Sequence, residues 1–279
     1  MAIRYAFSID LDRCIGCQAC AVACRTGNEL PADDTYITVS DVVCGQSPDL
    51  WGSFVHQRCF HCGAAPCVTV CPTGALSKWN GLTVISPEKC SACGYCTDAC
   101  PFKVPYILHN SVSKCSACDG LRGRVVPVVD VDTALRLKDG QEPWCVQTCP
   151  SRAIGFGEHE KLLAEAKARV ALLRSRYPNA QVYGETQLNG LGLLMILLDQ
   201  PGAYGLPAKP VMPATLTLWQ GAVQPAATGL SALAAATMGL MFIVARRQHA
   251  REQAEKRESA QAALSPQPEE TPVAGQDHE

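Results

Sequence analysis

The chain has 279 residues, 24 Lys and Arg against 26 Asp and Glu, and a formal net charge of −2. That length suits about two domains, and the charge excludes a global basic surface for nucleic acid or for a polybasic membrane contact. Aromatic residues are 6% and cysteines number seventeen, so the N-terminal part has little material for a large hydrophobic core and much for binding metal.

The first predicted element is a strand over Tyr5–Asp10. It leads into Cys14, Cys17, Cys20 and Cys24, spaced C-x2-C-x2-C-x3-C. A second group follows at Cys59, Cys62, Cys67 and Cys71, and a third at Cys90, Cys93, Cys96 and Cys100 repeats the first spacing. A short strand is predicted between them at Leu82–Ile85. Cys115 and Cys118 open a fourth group that Cys145 and Cys149 close, with another strand expected at Val125–Val131. Three groups end in Cys-Pro, at Pro72, Pro101 and Pro150, and Gly74-Ala75-Leu76 and Ala153-Ile154 follow two of these turns. Run, turn and strand repeat as in ferredoxin-like halves, so the expected fold class is α+β over residues 1–157.

This is the spacing that holds a [4Fe-4S] cube in thiolates. Disulfides fit poorly, because cysteines so close in sequence cannot all face partners at about 5.5 Å between Cα atoms. Zinc is the stronger rival, since Cys115/Cys118 with Cys145/Cys149 is compatible with a tetrahedral site. Three close cysteines plus a fourth before proline over-supply zinc and suit a cube. The fourth cysteine of a run ligates the other cluster of a pair. Four cubes are therefore expected in two interleaved modules. One module uses Cys59, Cys62, Cys67 with Cys100, and Cys90, Cys93, Cys96 with Cys71. The other uses Cys14, Cys17, Cys20 with Cys149, and Cys115, Cys118, Cys145 with Cys24. Folding should be coupled to metal assembly, leaving the apo-protein largely unfolded. Cys44 belongs to no group and reads as a small buried thiol.

A basic residue precedes each group: Arg13, Arg58, Lys89 and Lys114. A cation beside an anionic cube favours the added electron and raises its potential; the alternative is solvated surface charge of little consequence. No G-x-G-x-x-G, P-loop or G-x-S-x-G occurs, so no catalytic residues are assigned and the chain is not expected to be an enzyme by itself.

Residues 158–177 read as an amphipathic helix, with Leu162, Ala166, Val170, Leu173 and Tyr177 on one face and Pro178-Asn179 ending it. A connector runs to residue 210. From Val211 to Ala245 no residue is charged, and Pro225–Ala245 is 21 residues, enough to cross about 30 Å of hydrocarbon. The membrane segment is placed at 211–249, with Trp219 as an interfacial anchor. Arg246, Arg247, Arg251, Lys256 and Arg257 follow the apolar span, which puts the tail at 250–279 in the cytoplasm and the head outside. That tail is rich in Gln, Pro, Glu and Ala and is expected to be disordered. Met1–Asp12 has no apolar stretch of a secretory leader, so export is expected with a partner carrying a twin-arginine signal.

The four groups resemble the four-cluster electron-transfer subunits of the molybdopterin oxidoreductases. The stretch from Gly140 to Pro150 with Phe156-Gly157, then Asp199-Gln200-Pro201, Tyr204 to Pro207 and Leu218 to Ala222, is similar to the β subunit of membrane-bound formate dehydrogenase. The segment from Asp119 to Leu135 departs from that pattern as an insertion. The resemblance implies a relay of electrons through four [4Fe-4S] clusters, from a molybdopterin (Mo or W) catalytic subunit to a membrane cytochrome b and quinone. Two alternatives remain: the iron–sulfur subunit of a quinol-dependent thiosulfate, polysulfide or dimethyl sulfoxide type reductase, and a membrane-tethered structural zinc protein.

Overall fold

The computed structural model describes residues 3–118, 142–218 and 222–264. Its strands are β1 (Tyr5–Asp10), β2 (Thr38–Gln46), β3 (Asp49–Gln57), β4 (Leu76–Trp79), β5 (Leu82–Ile85), β6 (Tyr106–Leu108), β7 (Ser111–Ser113), β8 (Ile154–Glu158), β9 (Gln181–Tyr183) and β10 (Leu193–Leu197). Its α-helices are α1 (Ala19–Gly27), α2 (Pro66–Thr69), α3 (Tyr95–Ala99), α4 (Trp144–Gln147), α5 (His159–Leu173), α6 (Ala214–Leu218) and α7 (Gln224–Leu264). The chain divides into two units, Met1–Leu216 and Thr217–Glu279.

The first unit is built on a four-stranded sheet in the order β8-β1-β10-β9. β1 pairs in parallel with β10, Phe7 opposite Leu193 and Ile9 opposite Met195, and antiparallel with β8. The two ends of this unit's sequence thus meet in one sheet, and the cysteine groups lie between them in the chain. Side chains alternate with the period of two that a pleated strand imposes. Ala6, Leu194 and Ile196 face helix α5, which presents Leu162, Ala166, Val170 and Leu173 at steps of three and four. Each Leu or Val so buried contributes about 1.5–3 kcal/mol. The opposite face carries Phe7, Ile9, Leu193, Met195 and Leu197, and it packs into one cluster with the cysteines.

Helix α5 begins at His159 and ends at Leu173, shorter than the periodicity suggests. Tyr177 lies beyond its end yet still packs on the same apolar group, its ring 5.5 Å from that of Trp51. The strands expected at Tyr5–Asp10 and Leu82–Ile85 are β1 and β5, and β4 and β8 follow the two Cys-Pro turns. The one expected at Val125–Val131, and the insertion from Asp119 to Leu135, lie outside the described residues.

Three two-stranded ribbons surround the cysteines: β2–β3, β4–β5 and β6–β7. The β2–β3 hairpin has the most consequence for the site. At the end of β3, His56 and Arg58 are buried while Gln57 between them is exposed, so strand alternation drives two basic side chains inward. Helix α1 packs against α4, and α2 against α3.

The second unit is dominated by α7. It contains an 18-residue window of mean hydropathy 1.8 within Gln224–Arg257, long and apolar enough to cross a membrane by length and composition. Leu230, Leu233, Met238, Leu240, Met241, Phe242 and Ile243 are all exposed. Trp219 lies outside the described residues.

One expectation is corrected here. Helix α7 runs on past the apolar segment to Leu264, where composition suggests a disordered tail from residue 250. Ala, Gln, Glu, Lys and Arg dominate residues 250–264, and these are strong helix formers. Glu252 and Lys256 also stand in the favourable i, i+4 order. Residues 265–279 lie outside the described residues.

Candidate metal centre

All seventeen cysteines lie within the described residues, and none is in a disulfide. The fold gathers sixteen of them into four sets, each joining three cysteines of one group to one from another. Cys14, Cys17, Cys20 and Cys149 line one recess. Cys90, Cys93, Cys96 and Cys71 line a second. Cys62 and Cys67 share surroundings with Cys59 and Cys100, and Cys24 with Cys115, Cys118 and Cys145. Each set crosses between groups, as exchange of the last cysteine of a run requires. Helix pairs α1–α4 and α2–α3 bring the sets together, because each helix carries cysteines of a run.

The backbone repeats with the side chains. In the first C-x2-C pair of every group the residue before the second cysteine is left-handed: Gly16 (φ 67), His61 (φ 48), Ala92 (φ 53) and Ala117 (φ 59). Three of these are not glycine, and non-glycine residues in that region carry strain that concentrates at functional sites. Gly16 has an added reason, since a Cβ there would collide with the Phe54 ring. Gly192 is similar: its backbone passes so near His61 that a Cβ would stand 2.7 Å from the His61 Cβ.

Among the described residues, no three His, Cys, Asp or Glu side chains converge closely enough to hold a single metal ion. The sulfurs line recesses instead of meeting at a point. A tetrahedral zinc site with Zn–S near about 2.3 Å needs the opposite, so the arrangement fits a multi-atom cluster better.

Burial raises the most enclosed of these thiols. Cys20 and Cys96 are pushed up to about 11, and Cys67 and Cys118 to about 12, each chiefly by desolvation. Cys24 is raised further, by burial and then by Cys115, Cys118 and Cys145 around it. The thiolates of these buried cysteines are therefore unfavourable on their own, whereas at half-buried Cys71 burial is outweighed and the thiol lowered by the backbone amides and Thr73 around it. Metal binding at the raised thiols would release protons.

Arg58 makes the opposite demand. It is 1% exposed, and its Nη1 and Nη2 donate to Cys145 Sγ at 3.4 Å and Cys115 Sγ at 3.3 Å. Burial opposes its charge, but the sulfurs of Cys145 and Cys115 more than offset this and hold it protonated. A buried guanidinium needs an anionic partner, and anionic sulfur is the partner at hand. The donor set thus fits a thiolate-held cluster.

Other sulfurs also meet donors. His56 Nε2 lies 3.3 Å from Cys14 Sγ, and burial lowers this histidine to about 4, leaving it neutral. The Ala153 and Ala117 amides donate to Cys149 and Cys115 at 3.3 and 3.4 Å, and Asn28 Nδ2 lies 3.5 Å from Cys24 Sγ. Lys78 is an exposed residue whose ammonium turns onto the carbonyls of Cys62 (2.7 Å) and Gly81 (2.6 Å). Sequence reasoning passes over His56 and Lys78; no local spacing marks them, since strand pairing brings them in.

The four cations before the groups are not equivalent. Arg58 and Lys114 are buried, whereas Lys89 is exposed and Arg13 is 53% exposed beside Asp10. Cys44 is buried on β2 against Tyr204, apart from the four sets.

A family model described as a 4Fe-4S dicluster domain matches residues 51–159, and one described as a 4Fe-4S binding domain matches residues 7–28. The nitrate-inducible formate dehydrogenase iron-sulfur subunit of Escherichia coli is 36% identical, over 84% of this chain and 82% of that protein. This chain belongs to the formate dehydrogenase iron–sulfur subunit family. The formate dehydrogenase iron-sulfur subunit of Haemophilus influenzae is 34% identical over 84% of this chain and 78% of its own length. The thiosulfate reductase electron transfer subunit of Salmonella typhi is 38% identical, over 55% of this chain and 76% of that protein. Members of the formate dehydrogenase iron–sulfur family are electron-transfer subunits, not catalytic ones, and this chain carries [4Fe-4S]-binding domains accordingly.

Proposed function

We propose that this chain relays electrons from a molybdopterin-containing, formate-oxidising subunit to a membrane cytochrome b and quinone. Sixteen cysteines, in two interleaved ferredoxin-like modules of α+β type, hold four [4Fe-4S] clusters. The observation that carries this reading is the fourfold repeat of crossed cysteine sets, each with a left-handed residue at the same place in its group's first C-x2-C pair. When bound, such clusters supply one-electron carriers whose potentials follow charge, hydrogen bonding and exposure.

The chain's own residues supply the rest. The sheet and α5 hold the outer shape, and the thiols provide the ligands. Two sets reach the surface, at Cys17 beside exposed Ile15 and at Cys93 beside exposed Tyr95. These are the places where electrons enter and leave with least protein in between. The exposed apolar face of α7 supports a single membrane span, and the arginines after it support an extracytoplasmic head.

The test uses membranes from anaerobic cells lacking this chain. Formate-dependent quinone reduction should disappear while any remaining catalytic subunit still reduces an artificial dye with formate. Quinone reduction at the unaltered rate refutes the relay. Protease treatment of intact spheroplasts should degrade the head; a protected head reverses the orientation. The shared cysteine region with the thiosulfate reductase subunit keeps a quinol-dependent reductase as the second reading, and quinol oxidation driven by thiosulfate but no formate activity would select it.

A further inference from the structure

Arg58 and Lys114 each precede the first cysteine of a group, yet each faces the other's set. Arg58 precedes Cys59, but its guanidinium bonds the sulfurs of Cys115 and Cys145. Lys114 precedes Cys115, but its ammonium donates to Thr83 O at 2.7 Å, besides its neighbouring Cys115 O at 3.0 Å. Thr83 in turn donates its amide to His61, which lies between Cys59 and Cys62, so the ammonium is seated beside that group.

A buried series of contacts runs from one to the other. The Arg58 guanidinium lies 4.3 Å over the Phe7 ring, and Phe7 stacks on His61 at 5.9 Å. His61 Nδ1 accepts from the Thr83 amide at 3.1 Å, so its other nitrogen carries the proton and the ring adds no negative charge. Among the described residues, no carboxylate pairs with Arg58 or Lys114. Arg58 therefore bonds two sulfurs directly, and Lys114 sits on Thr83, whose amide bonds His61 between Cys59 and Cys62, in both cases with no carboxylate paired to the cation among the described residues. A cation so placed favours whichever state of the shell carries more negative charge, which is the reduced one.

We propose that Arg58 and Lys114 set reduction potentials across their groups: Arg58 raises that of the cluster at Cys24, Cys115, Cys118 and Cys145, and Lys114 that of the cluster at Cys59, Cys62, Cys67 and Cys100. Both are positioning residues acting on thiolate ligands. Electron transfer between the two modules is thereby tuned by side chains exchanged between them. The inference rests on the four-cluster reading.

The test is an EPR-monitored redox titration of the full chain, purified anaerobically with the subunits it carries. Cys118→Ser and Cys62→Ser first identify the spectral component belonging to each buried set. Arg58→Gln should lower the potential of the Cys118 component by a tenfold change in its reduction equilibrium, about 59 mV for one electron. Arg58→Lys, which keeps the charge, should lower it by less than half as much. Lys114→Gln should lower the Cys62 component, by less than Arg58→Gln because Lys78 remains nearby.

Movement of the Cys62 component by Arg58→Gln overturns the crossing. Unmoved potentials in variants with full iron overturn the tuning. If Arg58→Gln loses its iron, Arg58→Lys and Lys114→Gln decide on the same criteria. Far fewer than about sixteen iron in the unaltered chain, at four per cube, refutes the four-cluster reading itself, a failure separate from unmoved potentials.

Discussion

The four cysteine sets form two contrasting pairs. Cys24, Cys115, Cys118 and Cys145 are all buried, as are Cys59, Cys62 and Cys67 beside half-buried Cys100. In each of the other two sets one cysteine is exposed (Cys17, Cys93), two are half-buried and one is buried. The buried pair meets cations, with Arg58 on one set and Lys114 and Lys78 beside the other. The hydrogen bonds of the exposed pair come from neutral groups, His56 at Cys14, the Ala153 amide at Cys149, and Thr73 Oγ1 at 3.7 Å from Cys71, while the Arg58 charge also reaches Cys20. The reason is dielectric. Water solvates anionic sulfur where it reaches, and where it does not, the protein must supply a countercharge or lose the anion.

The severest way to break this contrast is to remove the metal. Iron extraction from the anaerobic protein should abolish most of the head's circular dichroism, because the cysteines share one core with Phe7, Ile9 and Met195. A head that keeps its native spectrum without iron would show that the sheet and α5 suffice.

Single ligand changes sharpen it. Cys118→Ala, in a fully buried set, should cost more than its own cluster, leaving iron below about twelve per chain; Cys17→Ala, in an exposed set, should leave about twelve, three cubes of four iron each. Metal analysis of the two variants separates them, and equal losses would erase the distinction between buried and exposed sets.

Packing gives the next effect. Phe7→Ala removes the ring between Arg58 and His61 and should destabilise the head by about 3–5 kcal/mol, as truncations of buried aromatics do. Chemical denaturation of the loaded protein measures this. A change at Leu172, exposed on α5, should be within about 0.5 kcal/mol of neutral.

The smallest effects belong to the exposed cations. Arg13→Gln and Lys89→Gln should leave every midpoint unmoved in a redox titration, since solvent-screened charges contribute little. A shift as large as that expected for Arg58→Gln would mean that exposure does not separate the two pairs.

Much of the site was legible in the chain because ferredoxin-type ligation is local. Three cysteines within ten residues, in three of the four groups, and a closing Cys-Pro, also in three, announce the chemistry without any fold, and an uncharged run of apolar residues announces α7 equally plainly. Strand β1 and the buried face of α5 were legible for the same reason, through periods of two and about three and a half. The β2–β3 hairpin was not, because its alternation is weak: Val43 and Leu50 are exposed while Ser53 and His56 are buried. The helix from residue 250 to Leu264 was hidden by a charged, Gln-rich composition that disorder and helix share.

What the sequence determined by itself was the candidate ligand set, the cluster class it suits and the apolar helix, each written in spacings short enough to be independent of tertiary contacts. What only the tertiary structure decided was which charges are buried and which sulfurs they face. Arg58 reaches Cys115 and Cys145 across 57 and 87 residues, and His56 reaches Cys14 across 42. Such meetings depend on the pairing of distant strands, and a side chain's neighbour in sequence says nothing about the charge it will offset once water is excluded.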